Sequence, residues 1–145
     1  MKVEVTEAAS VDDIIAVRAA VLRPGRPVSA ARNPEDGGEW ALHLRADVDG
    51  QVVGCGSLYR ADYQGEEAQR IRGMAVLAGF QAAGVGSLVL AALQERAMDR
   101  GFGHLIWLNA RERAIPFYER AGFAGVGGIF EVPGIGPHRL MVFKW

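Results

Sequence analysis

The 145-residue chain has a single cysteine, Cys55, so it can form neither an internal disulfide nor a cysteine-built metal cluster. Set among small and branched residues of a strand-like stretch, Cys55 reads as packing. An excess of one charge is also missing. Lys and Arg number 16, Asp and Glu 17, and the formal net charge of -1 offers nucleic acid no attraction. No apolar run approaches the roughly 20 residues of a membrane-crossing helix. The start, Met1 to Glu7, is acidic and alternating instead of basic and then apolar, so no secretory leader is expected. His43, His104 and His138 lack metal-ligand spacing, and no metal is expected. What remains is a globular mixture, 50% hydrophobic and 23% charged, long enough for one sizeable core. The expectation is one cytoplasmic domain, residues 1–145, with no membrane and no nucleic-acid partner.

Glycine is what the chain has in quantity, and it says most between Gly79 and Gly101. Ile71 to Leu77 reads as a buried strand. A glycine-punctuated loop follows, and then apolar residues at Leu88, Val89, Ala92, Leu93 and Ala97 mark one face of a helix from Val85 to Arg100. Gly101 supplies a left-handed stop. The first amides of such a helix have no partner within it, so with the helix dipole they form an anion site, and phosphate is the usual guest. Gly84 and Gly86 let backbone approach a bound oxygen. Three phosphate templates compete. A P-loop needs Lys and Ser/Thr where Val85 and Gly86 stand. A dinucleotide fingerprint needs glycine at Val89. The pattern Q/R-x-x-G-x-G/A is matched in full by Gln81-Ala82-Ala83-Gly84-Val85-Gly86.

Elsewhere, Lys2 to Thr6 alternates as a first strand. Ser10 caps a helix carrying Ile14, Ile15, Val17, Val21 and Leu22, which ends at Arg23-Pro24. The long Pro24–Glu39 loop is either a substrate-side lid or a plain connector. Trp40–Val48 and Gln51–Tyr59 form a hairpin about Asp49-Gly50. Ala68 to Leu77 is the next strand. His104–Leu108 should lie parallel to Ile71–Leu77 by a crossover. A helix from Arg113 to Ala121 and strands at Phe123–Glu131 and Arg139–Lys144 close the chain. A C-terminal edge strand makes a homodimer an option.

The string Ala114-x-x-Phe117-Tyr118-x-x-x-Gly122-Phe123 follows the His104–Leu108 strand. Read alone it is an amphipathic helix. Together with Gln81–Gly86, in this order and at this separation, it resembles the GNAT acyltransferases over about Ala68 to Phe123. Val21-Leu22-Arg23-Pro24-Gly25, Arg72-Gly73-Met74-Ala75-Val76, Asn109-Ala110-Arg111 and Gly134-Ile135-Gly136-Pro137-His138 resemble the ElaA and YjcF groups within that family. The resemblance implies a GNAT fold: an α/β (α+β) single sheet, mixed and mostly antiparallel, with helices on both faces and a splayed parallel strand pair. It implies acetyl-CoA as co-substrate, with the diphosphate on Gln81 to Ser87 (Ala82, Ala83, Gly84, Val85 and Gly86 between them). Met74, Ala75 and Val76 would lie along the thioester, and Phe117 and Tyr118 beside it. The asparagine of the commoner family pattern falls at Arg111, while Asn109 stands two residues earlier as a further candidate contact.

Acetyl transfer needs a neutral amine, a polarised thioester oxygen and a proton for the departing thiolate. The resemblance assigns the second to an amide near Met74–Val76 and the third to Tyr118. No glutamate occupies the strand before the loop, so His138 is the candidate base, against a turn histidine bonded to backbone. His43 faces either the acceptor pocket or solvent. Arg72 and Arg111 bind an acidic acceptor, bind the cofactor's phosphates, or pair on the surface. The expected activity is acetyl transfer to a small or peptide amine. The rival is a non-catalytic acyl-CoA sensing domain, which would not need Tyr118.

Overall fold

The computed structural model covers residues 1–145. Strand β1 (Glu4–Glu7) leads through a 3₁₀ turn, Val11–Asp13, into helix α1 (Ile15–Leu22). The Ser10 hydroxyl accepts from the Asp12 amide, as an N-cap should. β2 (Leu42–Val48) and β3 (Gln51–Arg60) form the hairpin. Asp49 and Gly50 stand at φ 50° and 78°, the left-handed pair that a two-residue type I′ turn requires. Then come β4 (Gln69–Val76), α2 (Val85–Arg100), β5 (Leu105–Arg111), α3 (Ile115–Arg120), β6 (Ala124–Val132) and β7 (Gly136–Lys144). All seven strands join one sheet in the order β1-β2-β3-β4-β5-β7-β6, and only β4 and β5 run parallel.

Helix α2 ends at the predicted glycine, Gly101, and begins after Gly84, both of them left-handed. Val85, Val89, Leu90, Leu93 and Ala97 are buried against the sheet, in a cluster with Leu44, Leu58, Ile71, Ile106, Leu108 and Met141. Each large member contributes about 1.5–3 kcal/mol. Leu88, predicted on this face, is 47% exposed. At 100° per residue it falls on the far side of the helix from that stripe.

The other face is covered by α1, whose Ile15, Val17 and Ala19, with Ile14 at its N-cap, pack with Cys55 and Ala75 in a smaller cluster. Cys55 is fully buried, and burial pushes its thiol up to about 12, so it is inert packing as predicted. The predicted C-terminal edge strand is interior. β7 pairs with β5 from Leu105–Lys144 to Arg111–His138, leaving β6 at the edge. Composition explains the exchange: β7 brings Met141 and Val142 to the core, whereas Ala124-Gly125-Val126-Gly127-Gly128 has little to bury.

Candidate active site

β4 and β5 pair only at Gln69–Ile106 and Arg70–Trp107; beyond these residues they diverge. The predicted splay is therefore present. Its cause is local: a bulge in β4 sets Gly73 and Met74 against the single residue Gly56, since Cys55 pairs with Ala75 and Ser57 with Arg72. Gly73 takes φ 71°, and a Cβ there would sit 2.7 Å from Arg18 Nε. The opening is a cleft of about 700 Å³ running through the sheet. One backbone group is aimed into it. Leu77 donates its amide to Val53 of β3, so the amide and carbonyl of Val76, one residue earlier, face the opposite way, toward the gap. The Gln81 side chain then caps the Val76 carbonyl at 2.9 Å. That leaves the Val76 N–H as the donor in the gap.

One mouth of the cleft is the glycine loop. A 3₁₀ segment, Ala78–Ala83, turns at Gly84 into α2, and no side chain caps this helix. Its first internal bond is Leu88 to the Gly84 carbonyl, so the amides of Val85, Gly86 and Ser87 precede the ladder. A Cβ on Gly86 would meet the Phe117 ring at 3.4 Å and Val76 Cγ2 at 3.6 Å, in space that backbone alone leaves open. Met74, Ala75, Val76, Gln81, Ala82, Gly84, Gly86, Ser87, Asn109, Phe117, Tyr118 and His138 all line the cleft; Ala83 and Val85 do not. The Val85 side chain is wholly in the core, so it has only its amide to offer.

Tyr118 is buried on α3, edge-on to Phe117 at 5.0 Å and Phe123 at 5.7 Å. Burial raises its phenol well above the usual range, against a smaller pull from Arg111. The hydroxyl therefore keeps its proton across the neutral and alkaline range. His138 is also buried, and its Nδ1 lies 2.8 Å from the Gly136 carbonyl. A carbonyl only accepts, so Nδ1 carries a proton and Nε2 is the ring nitrogen not used in this bond.

The two mouths differ in make-up. Ile106, Leu108 and Ala110 join the core beneath α2, so Trp107, Asn109 and Arg111 occupy the opposite face of β5. His138 sits directly across from Arg111 in the β5–β7 register and shares that face. Asn109, grouped with the glycine loop by sequence, thus lies with Arg111 and His138 on the α1 side.

Sequence reasoning missed what stands beneath this second mouth. Arg18, 1% exposed, pairs with Asp36 at 2.7 Å and donates to Ser57 at 2.8 Å and the Ala31 carbonyl at 3.1 Å. Tyr59 donates to Asp36, and His43 bonds Ser57 at 2.6 Å and the Asp36 carbonyl at 3.0 Å. His43 is therefore neither solvated nor in the acceptor pocket. Burial pushes the Asp36 carboxyl up, but Arg18, Tyr59 and the Asn33 amide together hold it below the usual range. The Pro24–Glu39 loop, with 3₁₀ turns at Val28–Ala31 and Pro34–Gly37, is pinned by this pair and is not a loose connector. Arg72 pairs with Glu35 of the same loop at 2.5 Å.

Residues 13–123 match the family model described as the acetyltransferase (GNAT) family. The Bacillus subtilis (strain 168) protein described as the uncharacterized N-acetyltransferase YitI is 30% identical over 135 residues, spanning 91% of this chain and 90% of its own. Among solved structures, Escherichia coli ElaA superposes with a TM-score of 0.84 at 19% identity, covering 99% of this chain and 100% of its own. An aminoglycoside 6'-N-acetyltransferase complexed with coenzyme A gives 0.78 at 15% identity, covering 97% and 96%. With its diverging parallel strands and its uncapped helix behind Gln81–Gly86, the chain belongs to the GNAT family of N-acetyltransferases.

Proposed function

We propose that this protein transfers an acetyl group from acetyl-CoA to a primary amine by direct attack, with the thioester reaching through the β4–β5 gap. The observation that carries this reading is the gap itself, open beyond Arg70 and Trp107, with unpaired amides at one mouth and an imidazole at the other. The residues fit the co-substrate. The amides of Val85, Gly86 and Ser87 suit a diphosphate, and bare backbone at Gly86 gives it access. Acetyl-CoA supplies an acyl group already activated as a thioester. The Val76 N–H would then donate to the acyl oxygen as charge gathers there. His138 Nε2 accepts the proton of the incoming amine, and the Tyr118 hydroxyl protonates the departing sulfur. Cys55 is sealed and takes no part.

No helix is long and apolar enough to cross a membrane, and the location proposed with this activity is the cytoplasm. The β6 edge, with Val126, Ile129 and Phe130 exposed, is the surface on which a second copy would pair. The reading is tested by offering amines with acetyl-CoA and following free thiol. Thiol release that depends on both the amine and Tyr118 is expected. Tight acetyl-CoA binding without release for any amine would favour the sensing domain.

A further inference from the structure

The acceptor's chemistry is written in the charge of the second mouth. Seven arginines line the cleft, and no aspartate or glutamate does. This contrasts with the chain as a whole, where the two signs nearly balance at 16 against 17. The arginines divide by position. Arg113 and Arg120 belong to the α3 side, beside Phe117, where co-substrate phosphates would lie. Arg18 is committed to Asp36, and Arg70 stacks on Trp107 at 4.4 Å. Arg23, Arg72 and Arg111 remain, gathered where α1 ends.

Their arrangement is built. The Leu22 carbonyl, at the end of α1, accepts from Arg23 at 2.8 Å and from Arg111 at 3.1 Å. Capping a helix end explains one N–H of each guanidinium and leaves the others directed elsewhere. One carbonyl does not neutralise two cations. Burial lowers the pKa of Arg23, and Arg26 and Arg72 lower it further; burial does the same to Arg111, helped by Arg23 and Arg113. The repulsion has a single local counter-charge, Glu35, already in contact with Arg72. A cluster of three half-buried guanidiniums with one carboxylate among them is stabilised by a further anion, and their planar forks suit carboxylate or phosphate oxygens. Arg111 stands directly across from His138, so an anion held there leaves an amine a few bonds away at the imidazole.

We propose that the acceptor is a small amine bearing its own carboxylate or phosphate, held by Arg23 and Arg111 at the end of α1 so that its amino group meets His138. This rests on the transferase reading above. Matched pairs test it: amino acids against their amides, and O-phosphoethanolamine against ethanolamine, each with acetyl-CoA and thiol detection. The anionic member should show at least a tenfold higher kcat/KM, and the pair that responds tells carboxylate from phosphate. Arg111→Gln and Arg23→Gln should each raise the acceptor KM about tenfold and leave the acetyl-CoA KM in place. Arg23→Lys, which keeps charge but loses the fork, guards against misfolding and should fall between. Equal rates within every pair, a preference for neutral amines or polycations, or a rise confined to the acetyl-CoA KM would overturn the proposal and spare the transferase reading. Calorimetry of the same compounds with CoA-saturated protein covers the opposite case. Binding of anionic members without turnover would sink the transferase reading alone, and binding of none would sink the proposal.

Discussion

The two faces of the sheet hold their helices by different physics. Beneath α2 the contact is mainly apolar, from Val85 to Ala97 against Leu44, Leu58, Ile106 and Met141, with the amides of Gln69 and Gln94 the buried exceptions. Beneath α1 the apolar cluster is smaller, and a buried ion pair with a hydrogen-bonded ring of Ser57, Tyr59 and His43 supplements it. The functional division follows the same line. In the proposed reading the α2 side would meet its ligand with backbone amides and glycine, which suits a diphosphate common to a whole family. The α1 side would meet its ligand with side chains, which can differ from one protein to the next. Burial on one face is forgiving of detail, whereas burial on the other works only when every polar partner is present.

Breaking one partner on each face should expose that difference most clearly. Asp36→Ala leaves the Arg18 guanidinium buried and unpaired, and about 3–5 kcal/mol of stability should be lost in chemical denaturation. Leu93→Ala, on the apolar face, should cost about 2–5 kcal/mol. The two should separate in pH dependence more than in size. The folded Asp36 carboxyl lies below its unfolded value, so its stabilisation is complete above pH ~4 and fades as pH falls through the folded pKa. Wild-type protein should therefore lose stability below that point more steeply than Asp36→Ala, while Leu93→Ala should follow the wild-type slope.

At the level of activity, Tyr118→Phe should lower turnover about 100-fold with little change in acetyl-CoA affinity. Because burial keeps the phenol protonated, the wild-type rate should show no loss from Tyr118 ionisation below pH ~10. Gly86→Val would push side-chain atoms toward Phe117 and Val76 and should weaken acetyl-CoA binding about tenfold in calorimetry, roughly 1.4 kcal/mol. The smallest effect belongs to Leu88→Gln: this exposed position should change stability by less than about 0.5 kcal/mol, although its pattern marks it as core.

What could be read in advance follows the same boundary between faces. Helix α2 and its stop were legible, because a 3.6 period and a left-handed glycine at Gly101 are local signals, although Leu88 was placed on the wrong face. The glycine loop was legible because it lies in one continuous stretch; the splay lies between two separate strands and was expected only through the family resemblance. Arg18 was not. It sits among apolar residues of α1, and its partners come from two later segments, Asp36 from the loop before β2 and Ser57 and Tyr59 from β3, so no window of sequence contains the pair. His43 was misjudged for the same reason: alternation placed it opposite Leu42 and Leu44, but that face is closed by the Asp36 loop. The arginine cluster was half legible. Arg72 and Arg111 stood out as residues, but their convergence with Arg23 depends on where α1 ends.

Amide chemical shifts followed during a titration with CoA would test the proposed path of the co-substrate most directly. The largest shifts are expected at Val85, Gly86 and Ser87 and at Val76, with the β6 amides from Ala124 to Val132 nearly silent. Saturable shifts confined to other segments, with Val76 and the start of α2 unmoved, would contradict it.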